Sequence, residues 1–257
     1  MTDQVVTAEE TATQILYLGI DGGGSNCRVM LQDKQGKLLG EGFGGPANPV
    51  YGVEQTIQSI LNATDTLGFD ANNSPIKPTS AGNGWSLVSD VLFDQKGNLW
   101  ALNGYTDRPL TVRDKNGIWY SFDCGPDAKN KYTTKMIQDF DEILWFATKS
   151  DGVIGYKHNG TISDASDDQI ITIDEGAFSG NLPSSAVTAL AADFDGELWI
   201  GTETGFAILY NSLGAFDAQP GDYNAQQIKV NFEGNVEFVL GKTHITDIEV
   251  DGGNRKW

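Results

Sequence analysis

A glycine-rich stretch near the amino terminus carries the residues best suited to chemistry. The segment YLGIDGGGSNCRVMLQDKQGKLLGEG (17–42) places Asp21 at the end of an apolar run, directly before three glycines and Ser25. Glycines let backbone N–H groups approach phosphate oxygens, serine adds a hydroxyl, and an aspartate can hold the water ligands of Mg²⁺. These residue types therefore suit a phosphate-binding loop.

The spacing of this loop excludes two common nucleotide motifs. No Gly-Lys-Ser/Thr follows, as a Walker loop requires, and the next element reads as a strand, whereas a Rossmann fingerprint opens a helix. Instead, the segment LGIDGGGSNCRVMLQDKQGKLLGEGFGGPANP resembles the amino-terminal segment of the BadF/BadG-type ATPase and N-acetylglucosamine kinase family, over residues 15–67.

This resemblance assigns roles to individual residues. It implies an actin-like ATPase fold that binds Mg-ATP, with Asp21 holding the metal through water and Asn48 contacting the sugar. The first phosphate loop would consist of Gly22, Gly23, Gly24, Ser25 and Asn26.

Phosphoryl transfer needs more than a phosphate loop. A positioned base, a second phosphate loop, an adenosine pocket and a closing lobe are also required, and the sequence after Leu67 supplies none of them. The family's catalytic aspartate lies beyond the matched segment, so no catalytic residue is assigned. We therefore expect a remnant nucleotide-binding lobe. The alternative is an ATP-dependent kinase of N-acetylglucosamine or a related sugar, active only if a partner supplies the missing lobe.

The elements around this loop form a β-β-β-α pattern. Residues 15–20 read as a buried strand, and residues 27–33 and 37–42 read as a hairpin closed at Gln35 and Gly36. The apolar residues Val53, Ile57, Ile60 and Leu61 mark one face of a short helix. Residues 1–14 read as a disordered tail, and residues 68–84, rich in Asn, Gly, Pro and Ser, read as a linker.

Four segments in the rest of the chain share one spacing. In VLFDQKGNLWALN, MIQDFDEILWFAT, LAADFDGELWIGT and IEVDGGNRKW, an aspartate precedes a tryptophan by six residues. The pairs are Asp94/Trp100, Asp139/Trp145, Asp193/Trp199 and Asp251/Trp257. Successive tryptophans are 45, 54 and 58 residues apart, roughly the length of one propeller blade. The repeat therefore predicts one blade for each unit.

Each repeat is interpreted as a β-hairpin. An apolar strand ends at the aspartate, the aspartate caps a tight turn at a glycine such as Gly97 or Gly196, and the returning strand buries its tryptophan between neighbouring sheets. Glu142 occupies the glycine position of the second unit, so a different turn is expected there. The alternative role for the repeat tryptophans is a sugar-stacking surface, and the aromatic residues least constrained by the repeat are Trp85, Trp119, Tyr105 and Tyr132.

Residues 85–257 resemble the two-component-regulator propeller repeats. The segment NLPSSAVTALAADFDGELWIGTETGFAILYN (181–211) has their loop, apolar strand, Asp-x-x-Gly, Trp-Ile-Gly-Thr and small-residue turn. Together with residues 223–257, it is similar to the propeller component of the type IX secretion attachment complex. The resemblance implies an extracytoplasmic scaffold or glycan-recognising module rather than a catalyst.

The expected fold is mainly β: three blades and part of a fourth, truncated at Trp257, preceded by the small β-β-β-α segment of actin-like ATPase type. Fewer than four blades do not close a ring, so open propeller edges would favour self-association. A protein or glycan ligand is expected to contact the blade loops 103–109, 124–132 and 211–224.

Charge and hydropathy narrow the partners further. The net charge of −18 and the pI of about 4.3 disfavour nucleic acid and anionic membrane surfaces. No stretch approaches 18 apolar residues, so no membrane span is expected. Residues 1–14 lack the apolar core of a signal peptide, which predicts a cytoplasmic chain, although the propeller resemblance alone implies an extracytoplasmic one. His158 and His244 are far apart in sequence and are interpreted as surface or packing residues.

Overall fold

The computed structural model describes residues 16–22, 27–33, 35–44, 56–57, 74–80, 82 and 84–257. The chain divides into two compact units, an amino-terminal unit of Met1–Phe69 and a second unit of Asp70–Trp257. All six tryptophans belong to the second unit.

The amino-terminal unit contains one antiparallel sheet in the order β1-β2-β3. Its strands are β1 (Leu16–Gly22), β2 (Cys27–Asp33) and β3 (Leu38–Gly44). Gly36, in the turn between β2 and β3, has a φ of 80°, a conformation that glycine adopts at little cost. The predicted strand and hairpin are confirmed, but the prediction that the first strand is buried was wrong, because Tyr17, Leu18 and Ile20 of β1 are 57%, 49% and 49% exposed. Of the predicted helix only Thr56 and Ile57 lie among the described residues, and both are helical.

The second unit is built from short antiparallel strands. Some of them, such as residues 144–148 and 205–209, are buried along their whole length, as expected for strands that bury both faces. The strands are β4 (Leu87–Phe93), β5 (Leu99–Gly104), β6 (Leu110–Arg113), β7 (Trp119–Phe122), β8 (Thr133–Gln138), β9 (Leu144–Thr148), β10 (Val153–Lys157), β11 (Gln169–Ile173), β12 (Val187–Ala192), β13 (Leu198–Thr202), β14 (Gly205–Leu209), β15 (Lys229–Phe232) and β16 (Asn235–Phe238).

These strands form successive blades. The first blade has the order β4-β5-β6-β7, the second β8-β9-β10-β11, and the third β12-β13-β14. An isolated bridge between Ile208 and Gln226 extends the third blade, and β15 and β16 form a separate hairpin. A bridge between Val250 and Lys256 closes the hairpin of the fourth repeat. The prediction of an incomplete propeller, with three blades and part of a fourth, is confirmed.

Adjacent blades pack face to face, and the core lies between them. The first strand of the second blade, β8, contacts β4 on one side and β12 on the other. Each interface has its own cluster of buried side chains. Between the first two blades these include Trp100, Leu110, Phe122, Phe146 and Tyr156, and between the second and third they include Ile143, Trp145, Val187, Leu190 and Ile200. Burial of this apolar surface stabilises the arc of blades.

The segment before β4 lies against the first blade. The backbone N–H of Lys77 donates to the Asn103 side chain at 2.6 Å, and that of Ser80 donates to the Tyr105 carbonyl at 2.7 Å. This part of the predicted linker 68–84 thus has fixed contacts within the second unit. Among the described residues, no helix is long and apolar enough to span a membrane.

Candidate binding surface

Each blade exposes two opposite rims, because its strands alternate in direction. The turn face carries the turns after the first strand of each blade, and the loop face carries the connections at the other end of the strands. The turn face comprises residues 94–97, 139–142, 193–196 and 251–254. The loop face comprises residues 105–109, 123–132, 149–152, 174–186 and 203–204.

On the turn face, the aspartate of each repeat bonds both to its turn and to its tryptophan. In the second blade, Oδ1 of Asp139 accepts from the backbone N–H groups of Asp141 and Ile143, at 3.0 and 2.9 Å. Oδ2 accepts from Nε1 of Trp145 at 2.8 Å and from the Ser212 hydroxyl at 3.2 Å. The spacing of six therefore arises because one carboxylate holds the turn and the indole of the returning strand.

The same bonds occur in all four repeats. The indole donates to Oδ2 of its aspartate at 2.9 Å for Trp100/Asp94, 2.8 Å for Trp145/Asp139, 3.2 Å for Trp199/Asp193 and 3.2 Å for Trp257/Asp251. Four copies of one bonding pattern, with every carboxylate oxygen engaged, identify these residues as parts of the blade scaffold.

The prediction of a different turn at Glu142 was wrong. Its φ is 63°, close to the 82° of Gly97 and the 80° of Gly196, and Asn254 takes 60° in the fourth repeat. The backbone N–H of Glu142 donates to the Asp139 carbonyl at 3.2 Å, as that of Gly97 does to Asp94 at 3.0 Å. The aspartate bonds thus impose the left-handed conformation on a residue that disfavours it.

The prediction that each repeat tryptophan is buried between neighbouring sheets is confirmed only in part. Trp100 and Trp145 are fully buried between blades, whereas Trp257 is 73% exposed. Trp199 is half-buried, stacked on Phe206 at 5.6 Å with the Lys256 ammonium 5.2 Å from its ring centroid. The difference arises because no described sheet packs over Trp257.

A fifth turn of the same kind, at Asp114, was not predicted from the sequence. Asp114 precedes Gly117, which has a φ of 87°, and Oδ1 of Asp114 accepts from the backbone N–H groups of Asn116 and Ile118 at 2.9 and 2.7 Å. No tryptophan lies six residues after Asp114, so the search for the repeat missed it. The sequence DKNG, a common turn sequence, was the available signal.

Burial and hydrogen bonding have opposite effects on the pKa values of these carboxylates. Burial raises the pKa of Asp139 above its ordinary value, despite its hydrogen bonds. For Asp94, burial acts in the same direction but is outweighed by hydrogen bonds, chiefly from Trp100 and Asn98, so the pKa is lowered. Hydrogen bonds from Arg255 lower the pKa of Asp251 to about 2. Hydrogen bonds hold all three carboxylates in place, which suits a structural role.

On the turn face, polar side chains of neighbouring blades also pair with one another. The Lys96 ammonium pairs with Glu142 at 2.5 Å, and the Asn254 amide donates to Asp195 at 2.8 Å. A hollow of about 330 Å³ opens here beside Phe140, and its lining lysine, Lys135, pairs with Asp247 at 2.9 Å. This hollow therefore offers no unpaired lysine to a ligand.

On the loop face, two of the three predicted contact loops lie together. The backbone N–H of Tyr105 donates to the Lys131 carbonyl at 2.8 Å, and that of Asn130 donates to Thr106 at 2.9 Å. These bonds join loops 103–109 and 124–132. The third loop, 211–224, has different contacts: at its start Ser212 bonds Asp139 on the turn face, and at its end Asn224 bonds Ala177 of the β11–β12 connection at 2.8 Å.

Tyr105 and Tyr132 form an exposed aromatic pair on this face. Their rings meet edge to face, with centroids 5.7 Å apart, and their exposures are 38% and 39%. Tyr105 has a φ of 55°, which is unusual for a bulky residue. The Lys149 ammonium lies 5.8 Å from the centroid of the Tyr132 ring. Of the less constrained aromatic residues, the structure thus brings these two together.

A groove of about 290 Å³ borders the aromatic pair at the junction of the second and third blades. Its lining residues provide one phenol ring, two threonine hydroxyls, one cation, one carboxylate and small apolar side chains. The lining residues are Tyr132, Thr134, Lys149, Ala186, Val187, Thr188 and Glu203. The loop face therefore has the mixture of apolar surface and few polar groups that is typical of ligand sites.

The predicted nucleotide site is described only in part. Asp21 and Gly22 end β1 and are exposed, and Asp21 pairs in register with Arg28 of β2. Arg28 itself forms an ion pair with Glu41 of β3. The remaining predicted contacts, Gly23, Gly24, Ser25, Asn26 and Asn48, lie outside the described residues. Within the described part of the chain, no three His, Cys, Asp or Glu side chains cluster as a metal site would require.

Two comparisons by sequence each match a short part of the chain. The two component regulator propeller family model matches residues 181–204. A stretch of 59 residues is 39% identical to the glucosamine kinase GspK of Vibrio cholerae, covering 23% of this chain and 20% of that protein. The chain therefore combines similarity to propeller repeats with a short similarity to a kinase, as the two resemblances predicted.

Comparison by structure supports the fold. The chain is similar to PorZ, described as an essential bacterial surface component of the type-IX secretion system of Porphyromonas gingivalis, with a TM-score of 0.62 and 24% identity over 93% of this chain. The extracellular domain of a putative one component system from B. thetaiotaomicron matches at a TM-score of 0.46 and 14% identity, covering 95% of this chain and 24% of that one. The chain spans 30% of the length of PorZ.

Proposed function

We propose that this chain is a non-enzymatic binding or scaffold module whose propeller unit recognises a glycan or protein ligand through the loop face. One observation carries the proposal: Tyr105 is held in a left-handed backbone conformation that places its ring against Tyr132, beside a groove with exposed charges. On the turn face, by contrast, the four repeat aspartates are engaged in scaffold bonds.

The backbone of Tyr105 is informative because strain is costly. A bulky residue with positive φ costs on the order of 1–3 kcal/mol and persists only where its surroundings impose it. Two backbone hydrogen bonds, to Lys131 and from Ser80, impose it here. Loops held by a rigid scaffold are also where binding residues concentrate. The strain therefore supports a recognition role for this aromatic pair.

We further propose that the module acts outside the cytoplasm. The similarity of its fold to a bacterial surface component of a secretion system supports this location. The exposed aromatic residues of the loop face suit a partner met in solution or on a cell surface rather than a buried subunit core. Fractionation of the native source, with detection of the chain in periplasmic, surface and cytoplasmic pools, tests the location.

Binding of the labelled full-length chain to a printed panel of oligosaccharides and peptides tests the function. We expect saturable binding to at least one class, lost in Tyr132→Ala and kept in Phe194→Ala, which removes an aromatic ring of similar exposure from the turn face. Asp21→Ala should also bind normally. Equal loss in Tyr132→Ala and Phe194→Ala, or no saturable binding to any member, would overturn the proposal.

A second candidate function is magnesium–nucleotide binding by the amino-terminal unit. It is favoured by the 39% identity to a glucosamine kinase and by the exposed carboxylate of Asp21 at the end of β1. Bound Mg-ATP would supply the transferable phosphoryl group, and N-acetylglucosamine or a related sugar would be the acceptor only when a complementing lobe is present. The residues of this chain would do no more than hold the phosphates and position the metal.

Calorimetry with and without Mg-ATP tests this second function, since none of the tryptophans reports on the amino-terminal unit. A ligand present at about a hundred times its dissociation constant adds about 2.7 kcal/mol to stability, which raises the unfolding temperature by several degrees. We expect any such shift to vanish in Asp21→Ala. An unchanged shift in that variant would show that the predicted loop is not the nucleotide site.

Self-association is proposed through the outer surface of the first blade. There β4 exposes Val91 at 55% and Phe93 at 68%, a patch that a further sheet could cover. Light scattering after size exclusion should detect oligomers that Phe93→Glu dissociates. A monomer at all concentrations would contradict this part of the proposal.

A further inference from the structure

The two charged residues of the groove, Lys149 and Glu203, form no ion pair with a described residue, unlike the neighbouring lysines of the loop face. Lys131 pairs with Asp151 at 2.5 Å and Lys129 pairs with Asp107 at 3.6 Å. Lys149 and Glu203 are both exposed and line the groove, and neither forms an ion pair with any residue that the structure describes. The groove therefore presents one cation and one carboxylate to a ligand.

The two hydroxyls of the groove are oriented by the protein. The Thr134 hydroxyl donates to the Ala147 carbonyl at 3.4 Å, and the Thr188 hydroxyl donates to the Ile245 carbonyl. Because each hydroxyl has a single hydrogen, its oxygen is left to accept. Together with the Glu203 carboxylate, the groove offers acceptors at three side chains and a charged donor at one.

The charges and acceptors of the groove determine which ligand would be complementary to it. It must carry several O–H or N–H donors for the acceptors, one anionic group for Lys149, and an apolar patch for the Tyr132 ring. A volume of about 290 Å³ lies just below the range for ligand pockets, roughly 300–1,000 Å³, and therefore favours a ligand as small as one sugar residue. A peptide offers only one backbone donor per residue, whereas a sugar residue carries several hydroxyl donors for these three acceptors.

We propose that the groove binds a hexuronate, a sugar residue that carries a carboxylate, as part of a glycan. In this arrangement the carboxylate pairs with Lys149, hydroxyls donate to Glu203, Thr134 and Thr188, and the C–H face of the ring packs against Tyr132. The inference rests on the proposed loop-face binding and narrows it to one ligand class.

NMR titration of the ¹⁵N-labelled full-length chain with methyl β-D-glucuronide and, separately, methyl β-D-glucoside tests this inference. We expect saturable shifts at residues around Lys149 and Glu203, with about ten-fold tighter binding of the glucuronide, the size expected for one charge-assisted hydrogen bond. Lys149→Gln should abolish this preference and Lys149→Arg should retain most of it. Lys115→Gln, the same change in charge at an exposed lysine in the turn between β6 and β7, should have no effect.

The outcomes separate the inference from the function on which it rests. Equal affinity for both sugars, or a preference that survives Lys149→Gln, would overturn the uronate assignment. Equally strong competition by an acidic peptide would also overturn it, since charge alone would then explain binding. If neither sugar binds but the printed panel still shows binding lost in Tyr132→Ala, the inference fails and the proposed function stands. Loss of both signals defeats both.

Discussion

On the turn face the carboxylate of Asp139 accepts four hydrogen bonds, whereas on the loop face the carboxylate of Glu203 pairs with no described residue. The turn-face aspartate recurs in every repeat with the same partners. The loop-face residues, such as Tyr105 and Lys149, belong to single blades. Recurrence in this chain therefore marks residues that hold the blades, and the residues available for binding are those that do not recur.

The largest expected effect comes from removing the best-bonded aspartate. Asp139→Ala leaves the Trp145 indole, the Ser212 hydroxyl and two backbone N–H groups without their acceptor in a buried site, which should cost on the order of 3–4 kcal/mol. Urea unfolding followed by tryptophan fluorescence measures this loss in the propeller unit alone. Asp251→Ala, beside the exposed Trp257, is the matched control and should cost much less. Equal losses would contradict the role assigned to burial.

A smaller effect is expected from the titration of His158. This side chain is 3% exposed, stacks on Trp100 with centroids 5.7 Å apart, and has no hydrogen-bond partner at Nε2. Burial and the nearby Lys96 lower its pKa below the ordinary 6.5, while the carboxylates of Glu142, Asp168 and Asp94 oppose this shift. The unfolded chain therefore takes up the proton first, and the stability present above pH 6.5 falls as the pH drops below it.

Unfolding free energies of the parent chain and of His158→Gln test this expectation. They should be measured from about pH 7.5 to about pH 5, a range that spans the ordinary pKa of histidine. The stability of the parent should fall relative to the variant with a slope of at most about 1.4 kcal/mol per pH unit, the limit for one proton. Burial raises the pKa of Asp168, which acts in the opposite direction at lower pH, so the comparison with the variant is essential. Parallel curves would show that His158 is not protonated differently in the two states.

Replacing Glu142 should stabilise the turn face. Its φ of 63° costs a non-glycine residue about 1–2 kcal/mol, so Glu142→Gly should raise stability by about 1 kcal/mol after loss of an exposed ion pair worth at most about 1 kcal/mol. Lys96→Gln removes the same ion pair without changing the turn and serves as control. If Glu142→Gly is less stable than Lys96→Gln, the strain assigned to this residue is absent.

The smallest change in stability is expected at Tyr105, on the loop face. Tyr105→Gly relieves a φ of 55° but loses the edge-to-face contact with Tyr132, worth about 0.5–1.5 kcal/mol, so the two effects should nearly cancel. Ligand binding should nevertheless be lost. Glu142→Gly should show the reverse, with improved stability and unchanged binding. A loss of binding in both variants would show that the two faces are not functionally distinct.

Much of the scaffold could be predicted from the sequence, because the six-residue spacing of Asp94 and Trp100 recurs three times and reflects one bonding pattern. The turn at Glu142 could not, because a residue's intrinsic preference is a weaker constraint than two backbone bonds to Asp139. The loop-face site was predicted only as separate loops. Its groove depends on which loops meet, as Tyr105 meets Lys131, and on charges such as Lys149 lacking partners, which only the folded chain reveals.

Hydrogen–deuterium exchange of the full-length chain, with and without the panel member that binds most tightly, tests the central claim most directly. The account predicts slower exchange in residues 103–109, 124–132, 149–152 and 203–204, and no change in residues 94–97, 139–142 and 193–196. Protection confined to the turn face or to residues 16–44 would contradict the claim that this chain recognises its ligand through the loop face of the propeller.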